Sequence, residues 1–172
     1  MVFFCEITYE EGLLMNRYLM KQIENPDIPI VFDFDGVLFE ARWYEDRINM
    51  RGETPESLLK AMQRGENLRT EPISFMTDFV PTLKNDKFVL SRMHNDIEYS
   101  YKKEQISRYY PCIPLENVIM ATSIDNKEVY LEQIRQKYGA FIYIDDTHQA
   151  LMKFENDFDD NCKFFHVSSL YV

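Results

Sequence analysis

Two pairs of acidic residues, each directly after a short apolar run, are the features of this sequence most able to do chemistry. The first pair is Asp33 and Asp35, and the second is Asp145 and Asp146. Because side chains alternate along a strand, Asp33 and Asp35 are predicted to point to the same side. Carboxylates that converge at strand ends supply the oxygen ligands that Mg²⁺ prefers. We therefore predict that these four residues bind a magnesium ion.

A hydroxyl group and a cation are predicted beside these carboxylates. Ser91 follows another apolar run, and Lys127 lies two residues after Asp125, which is predicted to cap a helix. The first turn of that helix should face the carboxyl ends of the strands, where ligands bind in a doubly wound sheet. The Lys127 ammonium is therefore expected to reach the acidic residues.

Five short apolar runs predict the strands that carry these residues. They cover residues 28–32, 87–90, 117–120, 141–144 and 163–167. Helical patterns of 10 to 15 residues lie between them, which implies right-handed crossovers and a sheet covered on both faces. We therefore predict an α/β fold that is doubly wound around a mainly parallel five-stranded sheet.

The first half of the chain contains three predicted helices. A capping-box pattern predicts a helix over about residues 9–24. Thr54 followed by Pro55 predicts a short helix that stops near Gly65. A third helical piece over residues 74–84 contains Pro81, which should kink the helix or mark its real start.

The second half contains three more predicted helices. Asn95 is expected to cap a helix that ends by Pro111 and carries Ile97, Tyr101 and Ile106 on its apolar side. The helix capped by Asp125 should end at Gly139. Thr147 should cap the last predicted helix.

The length of 172 residues predicts one domain over residues 1–172. Residues 40–72 break the alternation of strands and helices, and we predict that they form a small cap over one end of the sheet. This segment has six Lys and Arg against seven Asp and Glu, so it is not a basic clamp for nucleic acid.

The composition narrows the classes of partner and compartment. A net charge of −10 opposes binding to a phosphate backbone, so we do not expect nucleic acid as a partner. Three cysteines, Cys5, Cys112 and Cys162, have no CxxC spacing and favour a reducing, cytoplasmic location. No apolar run approaches the length of a membrane span, so no membrane partner is expected.

The polar residues match, in order, the four motifs of the haloacid dehalogenase superfamily, and the resemblance covers residues 28 to about 150. That superfamily has a similar three-layer α/β/α, Rossmann-like fold. The resemblance implies that Asp33 is the nucleophile that accepts a phosphoryl group. It implies that Asp35 is the general acid and base, that Lys127 steadies the nucleophile and the phosphate, and that Asp145 with Asp146 anchors Mg²⁺.

The same resemblance implies that Ser91 hydrogen-bonds the phosphoryl oxygens. Arg92, by its position beside Ser91, is a candidate for substrate binding, although an exposed ion-pair role fits equally well. An Asp at position 35 resembles phosphatases and phosphotransferases, whereas dehalogenase members depart from the motif there.

The resemblance therefore implies a Mg²⁺-dependent phosphatase that forms an aspartyl phosphate and acts on a small phosphorylated substrate. Three alternatives stay open: a nucleotidase, a phosphatase of polynucleotide ends, and a catalytically silent binding or regulatory protein on the same scaffold. A non-hydrolytic phosphotransferase or mutase is a further alternative. Substrate choice is expected to depend on the 40–72 segment.

Overall fold

The computed structural model describes residues 17–41, 46–66, 68 and 70–171. Within these ranges, five strands form one parallel sheet in the order β3-β2-β1-β4-β5. The strands are β1 (Ile30–Phe32), β2 (Lys87–Arg92), β3 (Val118–Ala121), β4 (Phe141–Asp145) and β5 (Cys162–His166). The predicted α/β class and the five strands are confirmed, with boundaries that shift by one or two residues.

Six α-helices lie in the described part of the chain. They are α1 (17–23), α2 (Pro55–Gln63), α3 (Ser74–Phe79), α4 (Asp96–Tyr109), α5 (Ile124–Tyr138) and α6 (His148–Asp157). The predicted start of the first helix, residues 9–16, lies outside the described residues. None of the helices in the described ranges is long and apolar enough to cross a membrane.

The sheet separates two apolar clusters because side chains alternate along its strands. On one face, Ile30 and Phe32 of β1 pack with residues of α1, α3 and α4. On the other face, Val31 of β1 packs with residues of α5 and α6. All three residues of β1 are therefore buried, as the uninterrupted apolar run predicts for a central parallel strand.

Local sequence signals explain most helix boundaries. Thr54 caps α2 with its side chain, and Asn95 does the same for α4 by accepting a hydrogen bond from the Glu98 N–H. Helix α3 stops at Phe79, and Pro81 lies in a following 3₁₀ turn, so the proline marks an end rather than a kink.

The predicted cap of α5 was wrong by two residues. The cap is Ser123, whose hydroxyl oxygen accepts a hydrogen bond from the Asn126 N–H at 3.2 Å, while Asp125 lies in the first turn. Serine suits the N-cap, which needs a short polar side chain, and aspartate suits the first turn, which favours an acidic one.

The apolar side predicted for α4 was wrong in part, since Ile106 is buried as expected but Ile97 is not. Its buried residues are Glu98, Lys102 and Ile106, whereas Ile97 is 56% exposed. Two of the three positions that face the sheet are therefore charged, and a search for apolar periodicity could not identify this face.

The two ends of the 40–72 segment lie side by side. The Glu40 N–H donates to the Glu71 carbonyl, and the Ile73 N–H donates to the Leu38 carbonyl, both at 2.9 Å. The Asn95 side-chain amide also donates to the Met62 carbonyl at 3.2 Å, which fixes the end of α2 beside the start of α4. The segment is thus anchored near the carboxyl end of β2.

Candidate active site

Asp33 stands where β1 ends, still hydrogen-bonded to the neighbouring strand. Its N–H donates to the Ile144 carbonyl at 2.9 Å, and Phe32 pairs with Ile144 in register, so Asp33 lies beside Asp145. This register explains why two acidic pairs 112 positions apart in the sequence meet at one edge of the sheet.

The chain turns sharply after Asp35. Gly36 has a φ of +74°, and its N–H donates to the Phe39 carbonyl at 2.7 Å. A Cβ at this glycine would lie 2.0 Å from Oδ2 of Asp146. Glycine is therefore required here both by the backbone angle and by the close approach of a predicted metal ligand.

Lys127 reaches this edge from the first turn of α5, as predicted, and its side chain is buried. Its Nζ donates to Asp33 Oδ1 at 2.8 Å, to the Tyr143 hydroxyl at 2.9 Å and to Asp145 Oδ2 at 3.3 Å. The ammonium therefore contacts the first residue of each acidic pair, Asp33 and Asp145.

Three of the four predicted metal-binding carboxylates come together. One oxygen each from Asp33, Asp145 and Asp146 lies within 4.8 Å of the others. Such an oxygen-only donor set fits a hard divalent cation such as Mg²⁺. The Asp35 carboxylate is directed to another partner, so its predicted role as a ligand stays a prediction.

That partner is Lys102 of α4, a residue that the sequence patterns did not identify. Its Nζ donates to Asp35 Oδ2 at 2.6 Å and to Ser91 Oγ at 2.9 Å. Lys102 is buried, whereas the Asp35 side chain is 47% exposed. The structure thus links Asp35 and Ser91, two predicted site residues, through a cation in the interior.

Glu98 anchors Lys102 from one helical turn away. Glu98 Oε1 forms an ion pair with Lys102 Nζ at 3.0 Å, while Oε2 accepts from the His94 N–H at 2.8 Å and lies 2.9 Å from His94 Nδ1. A charged pair at i and i+4, followed by Ile106 four residues later, was the available sequence signal, because all three share one helix face.

Tyr143 is the third functional candidate that the sequence patterns missed. Its hydroxyl donates to Asp145 Oδ2 and accepts from Lys127 Nζ. It precedes Asp145 by two residues on β4, so both side chains lie on the same face of the sheet. Burial raises the pKa of Tyr143 well above its ordinary value, so the hydroxyl stays a hydrogen-bond donor.

The electrostatics differ between the acids and the lysines. Burial raises the pKa of Asp33 to about 7, with Lys127 opposing the shift and Asp145 adding to it. Burial and the Asp145 charge likewise raise the pKa of Asp146. A bound cation would favour the ionised form of both carboxyl groups.

Both lysines remain cations despite their burial. Burial lowers the pKa of Lys127, but Asp33 and Asp145 more than offset it, so the pKa lies above the ordinary value. Lys102 behaves in the same way, with Asp35 and Glu98 as the carboxylates that raise its pKa. Each lysine is therefore a fixed positive charge in the site.

Arg92 lies next to Ser91 at the end of β2, and its side chain is exposed. Its carbonyl oxygen accepts from Lys102 Nζ at 2.8 Å. Successive side chains on a strand point to opposite faces, so its guanidinium and the Ser91 hydroxyl leave β2 in different directions. A role for Arg92 in substrate binding stays a prediction.

Comparisons with known proteins identify the fold. No protein-family model matches the sequence, and no curated protein matches it. Among solved structures, that of a haloacid dehalogenase-like hydrolase from Burkholderia xenovorans LB400 matches with a TM-score of 0.53 over 80% of each chain, at 17% sequence identity.

The chain has the haloacid dehalogenase-like fold. In this haloacid dehalogenase-like domain, Asp33, Ser91 and Asp145 lie at the carboxyl-end edge of β1, β2 and β4, and Lys127 lies in the first turn of α5. The order of these positions agrees with the resemblance seen in the sequence.

Proposed function

We propose that the protein is a Mg²⁺-dependent phosphomonoester hydrolase that works through an aspartyl phosphate on Asp33. The observation that carries this proposal is the environment of Asp33. Its buried carboxylate contacts the Lys127 ammonium at 2.8 Å and shares a three-carboxylate cluster with Asp145 and Asp146. Such an arrangement can hold a cation and a nucleophile at one point.

The residues divide into those that hold charge and those that react. Asp33, Asp145 and Asp146 would hold Mg²⁺, which neutralises charge on a bound phosphate when it is present. Lys127 balances the charge of Asp33 and Asp145 from the protein side. Ser91 lies at the neighbouring strand end, where its hydroxyl can donate to a phosphoryl oxygen.

The proposed reaction has two steps. In the first, a carboxylate oxygen of Asp33 bonds to phosphorus, the bond from phosphorus to the leaving oxygen breaks, and Asp35 gives that oxygen a proton. In the second, Asp35 takes a proton from water, the water oxygen bonds to phosphorus, and the bond to Asp33 breaks. Phosphate and an alcohol are the products.

The position of Asp35 supports its role as the proton carrier. Its side chain is 47% exposed, whereas Asp33 is 11% exposed, so the leaving group can reach Asp35 from solvent.

We propose a small phosphorylated molecule as substrate rather than nucleic acid, because the net charge of −10 repels a polyanion. The described cysteines, Cys112 and Cys162, are free, which supports a cytoplasmic location.

Phosphate release from an aryl phosphate tests the proposal. We expect turnover by the wild-type protein with Mg²⁺, little with a chelator present, and at least a ~100-fold loss in Asp33→Asn. A screen of nucleotides, sugar phosphates and 3′-phosphorylated oligonucleotides would then separate the substrate classes, and added acceptor alcohols would expose transfer products. Turnover that Asp33→Asn retains in full would contradict the proposal.

A silent scaffold is the alternative from outside the enzymes. It predicts no turnover on any phosphomonoester. An intact set of Asp33, Asp35, Ser91, Lys127 and Asp145 gives that alternative no positive support.

A further inference from the structure

Lys102 is surrounded by oxygen atoms from four different groups. Its Nζ lies 2.6 Å from Asp35 Oδ2, 2.8 Å from the Arg92 carbonyl oxygen, 2.9 Å from Ser91 Oγ and 3.0 Å from Glu98 Oε1. An ammonium group has three hydrogens, so every donor is already used by the protein. Lys102 therefore has no free N–H group to offer to a substrate.

The contact with Asp35 selects one of its two oxygens. Because Lys102 occupies Oδ2, Oδ1 is the oxygen left to exchange a proton with a leaving group or a water molecule. A side chain that is 47% exposed would otherwise sample several rotamers. The ion pair thus holds a flexible acid in one orientation.

The contact with Ser91 selects the direction of its hydroxyl. Since Ser91 Oγ accepts from Lys102, its own hydrogen is available for another acceptor. Among the described residues, the acceptor it reaches is the Arg92 carbonyl, at a long 3.4 Å. A phosphoryl oxygen would be a better acceptor than this contact. Lys102 therefore keeps Ser91 in the role of a donor.

We propose that Lys102 is a positioning residue that orients Asp35 for proton transfer, with Glu98 as its anchor. This inference rests on the proposed phosphomonoester hydrolysis and deepens it. Burying a lysine and a glutamate is costly unless both are paired and hydrogen-bonded, and the network of Glu98, His94 and Asp35 meets that requirement. The two buried charges thus lie beside the candidate site rather than in the apolar core.

The test is the dependence of kcat/KM on the leaving group. A general acid matters most for a poor leaving group, such as an alkyl alcohol, and least for an acidic phenol. For Lys102→Met we expect a loss of about 10- to 100-fold with alkyl phosphates and less than about 3-fold with dinitrophenyl phosphate. The loss with alkyl phosphates is smaller than the ~10²–10⁴-fold contribution of general acid–base catalysis, because Asp35 itself is still present. A plot of log kcat/KM against the pKa of the leaving phenol or alcohol should therefore be steeper for Lys102→Met than for the wild type.

Matched variants separate this effect from misfolding. Lys103→Met removes the same charge from the same helix, where Lys103 lies over the Tyr99 ring, and should keep the wild-type slope. If Lys102→Met does not fold, the double variant Glu98→Gln/Lys102→Met removes both buried charges together. Its kcat/KM values are then compared with those of Glu98→Gln. Melting temperatures report the structural cost of each change.

An equal loss for all leaving groups in the Lys102 variants would overturn the inference, because a merely structural or phosphate-binding role lowers every rate alike. Activity of the wild-type protein on aryl phosphates, together with such an unchanged slope, would leave the proposed function standing. If the wild-type protein hydrolyses no member of the series with Mg²⁺, the proposed function itself is wrong, and the inference is wrong with it.

Discussion

Lys127 Nζ and Asp33 Oδ1 lie 2.8 Å apart, although 94 positions separate the two residues in the chain. The contact joins the first turn of α5 to the end of β1 and is buried from solvent. A pair of this kind costs free energy to desolvate, so its presence at a strand end is better explained by chemistry than by stability.

Replacing Lys127 by Gln should separate charge balance from folding. We expect kcat for an aryl phosphate to fall by about 10²–10³, the usual effect of removing one electrostatic stabiliser. The rise in melting temperature on adding Mg²⁺ should exceed that of the wild type, because Asp33 and Asp145 lose their resident cation. Lys137→Gln, an exposed change on the same helix, should alter neither quantity. A wild-type kcat in Lys127→Gln would contradict the assigned role.

Gly36→Ala should damage the metal site more than the backbone. The new Cβ would overlap Asp146 Oδ2, at 2.0 Å, and the φ of +74° adds roughly 1–2 kcal/mol of strain. Gly139→Ala is the matched control, because it has a φ of +77° with open space around the Cβ. Both variants should melt earlier, but only Gly36→Ala should lose the stabilisation by Mg²⁺. Equal Mg²⁺ responses would show that Asp146 is not a ligand.

Tyr143→Phe should weaken the buried network without abolishing activity. The change removes a hydroxyl that contacts Asp145 and Lys127, which still contact each other at 3.3 Å. We expect about 1–3 kcal/mol less stability by denaturant unfolding, the usual cost of leaving a buried group unsatisfied. Tyr138→Phe removes a hydroxyl that binds Asp86 at an exposed position, so its effect should be smaller. The reverse order of effects would argue against a structural role for the Tyr143 hydroxyl.

The raised pKa of Asp33 makes the stability of the metal-free protein depend on pH. The folded protein holds this proton up to about pH 7, whereas the unfolded chain releases it near pH 3.8. The folded state therefore binds more protons between these values, and the free energy of unfolding must fall as the pH rises from about 4 to 7. The free energy of unfolding of Asp33→Asn, measured by urea unfolding with a chelator present, should fall less over the same pH range. Identical pH slopes for the two proteins would contradict the shift.

The sequence predicted the strand ends well because two signals agreed there. Short apolar runs locate buried parallel strands, and an acidic pair directly after such a run, as at Asp33 and Asp145, must lie at the carboxyl edge of the sheet. The register that brings the two pairs together was implied by the parallel topology, which local patterns indicate through alternating strands and helices.

Lys102 was missed for a physical reason. Apolar periodicity assumes that the face of a helix toward the core is apolar, yet α4 buries Glu98 and Lys102 and exposes Ile97. Among the partners of Lys102, Asp35 and Ser91 come from other elements, 67 and 11 positions away in the chain. The local signal, a charged pair at i and i+4, does not distinguish a buried pair from an exposed one. The position of the α5 cap was missed by two residues because Ser123 and Asp125 both suit the start of a helix.

In the proposed mechanism, Asp33 carries the phosphoryl group between the two steps. The most direct measurement is acid quenching of the protein during turnover of a labelled phosphomonoester, followed by peptide mapping of the label. We predict an acyl phosphate on Asp33, absent from Asp33→Asn and more abundant in Asp35→Asn when an aryl phosphate is used, because Asp35 activates the water that removes it. Label on another residue, or phosphate release with no labelled protein in Asp35→Asn, would contradict this mechanism.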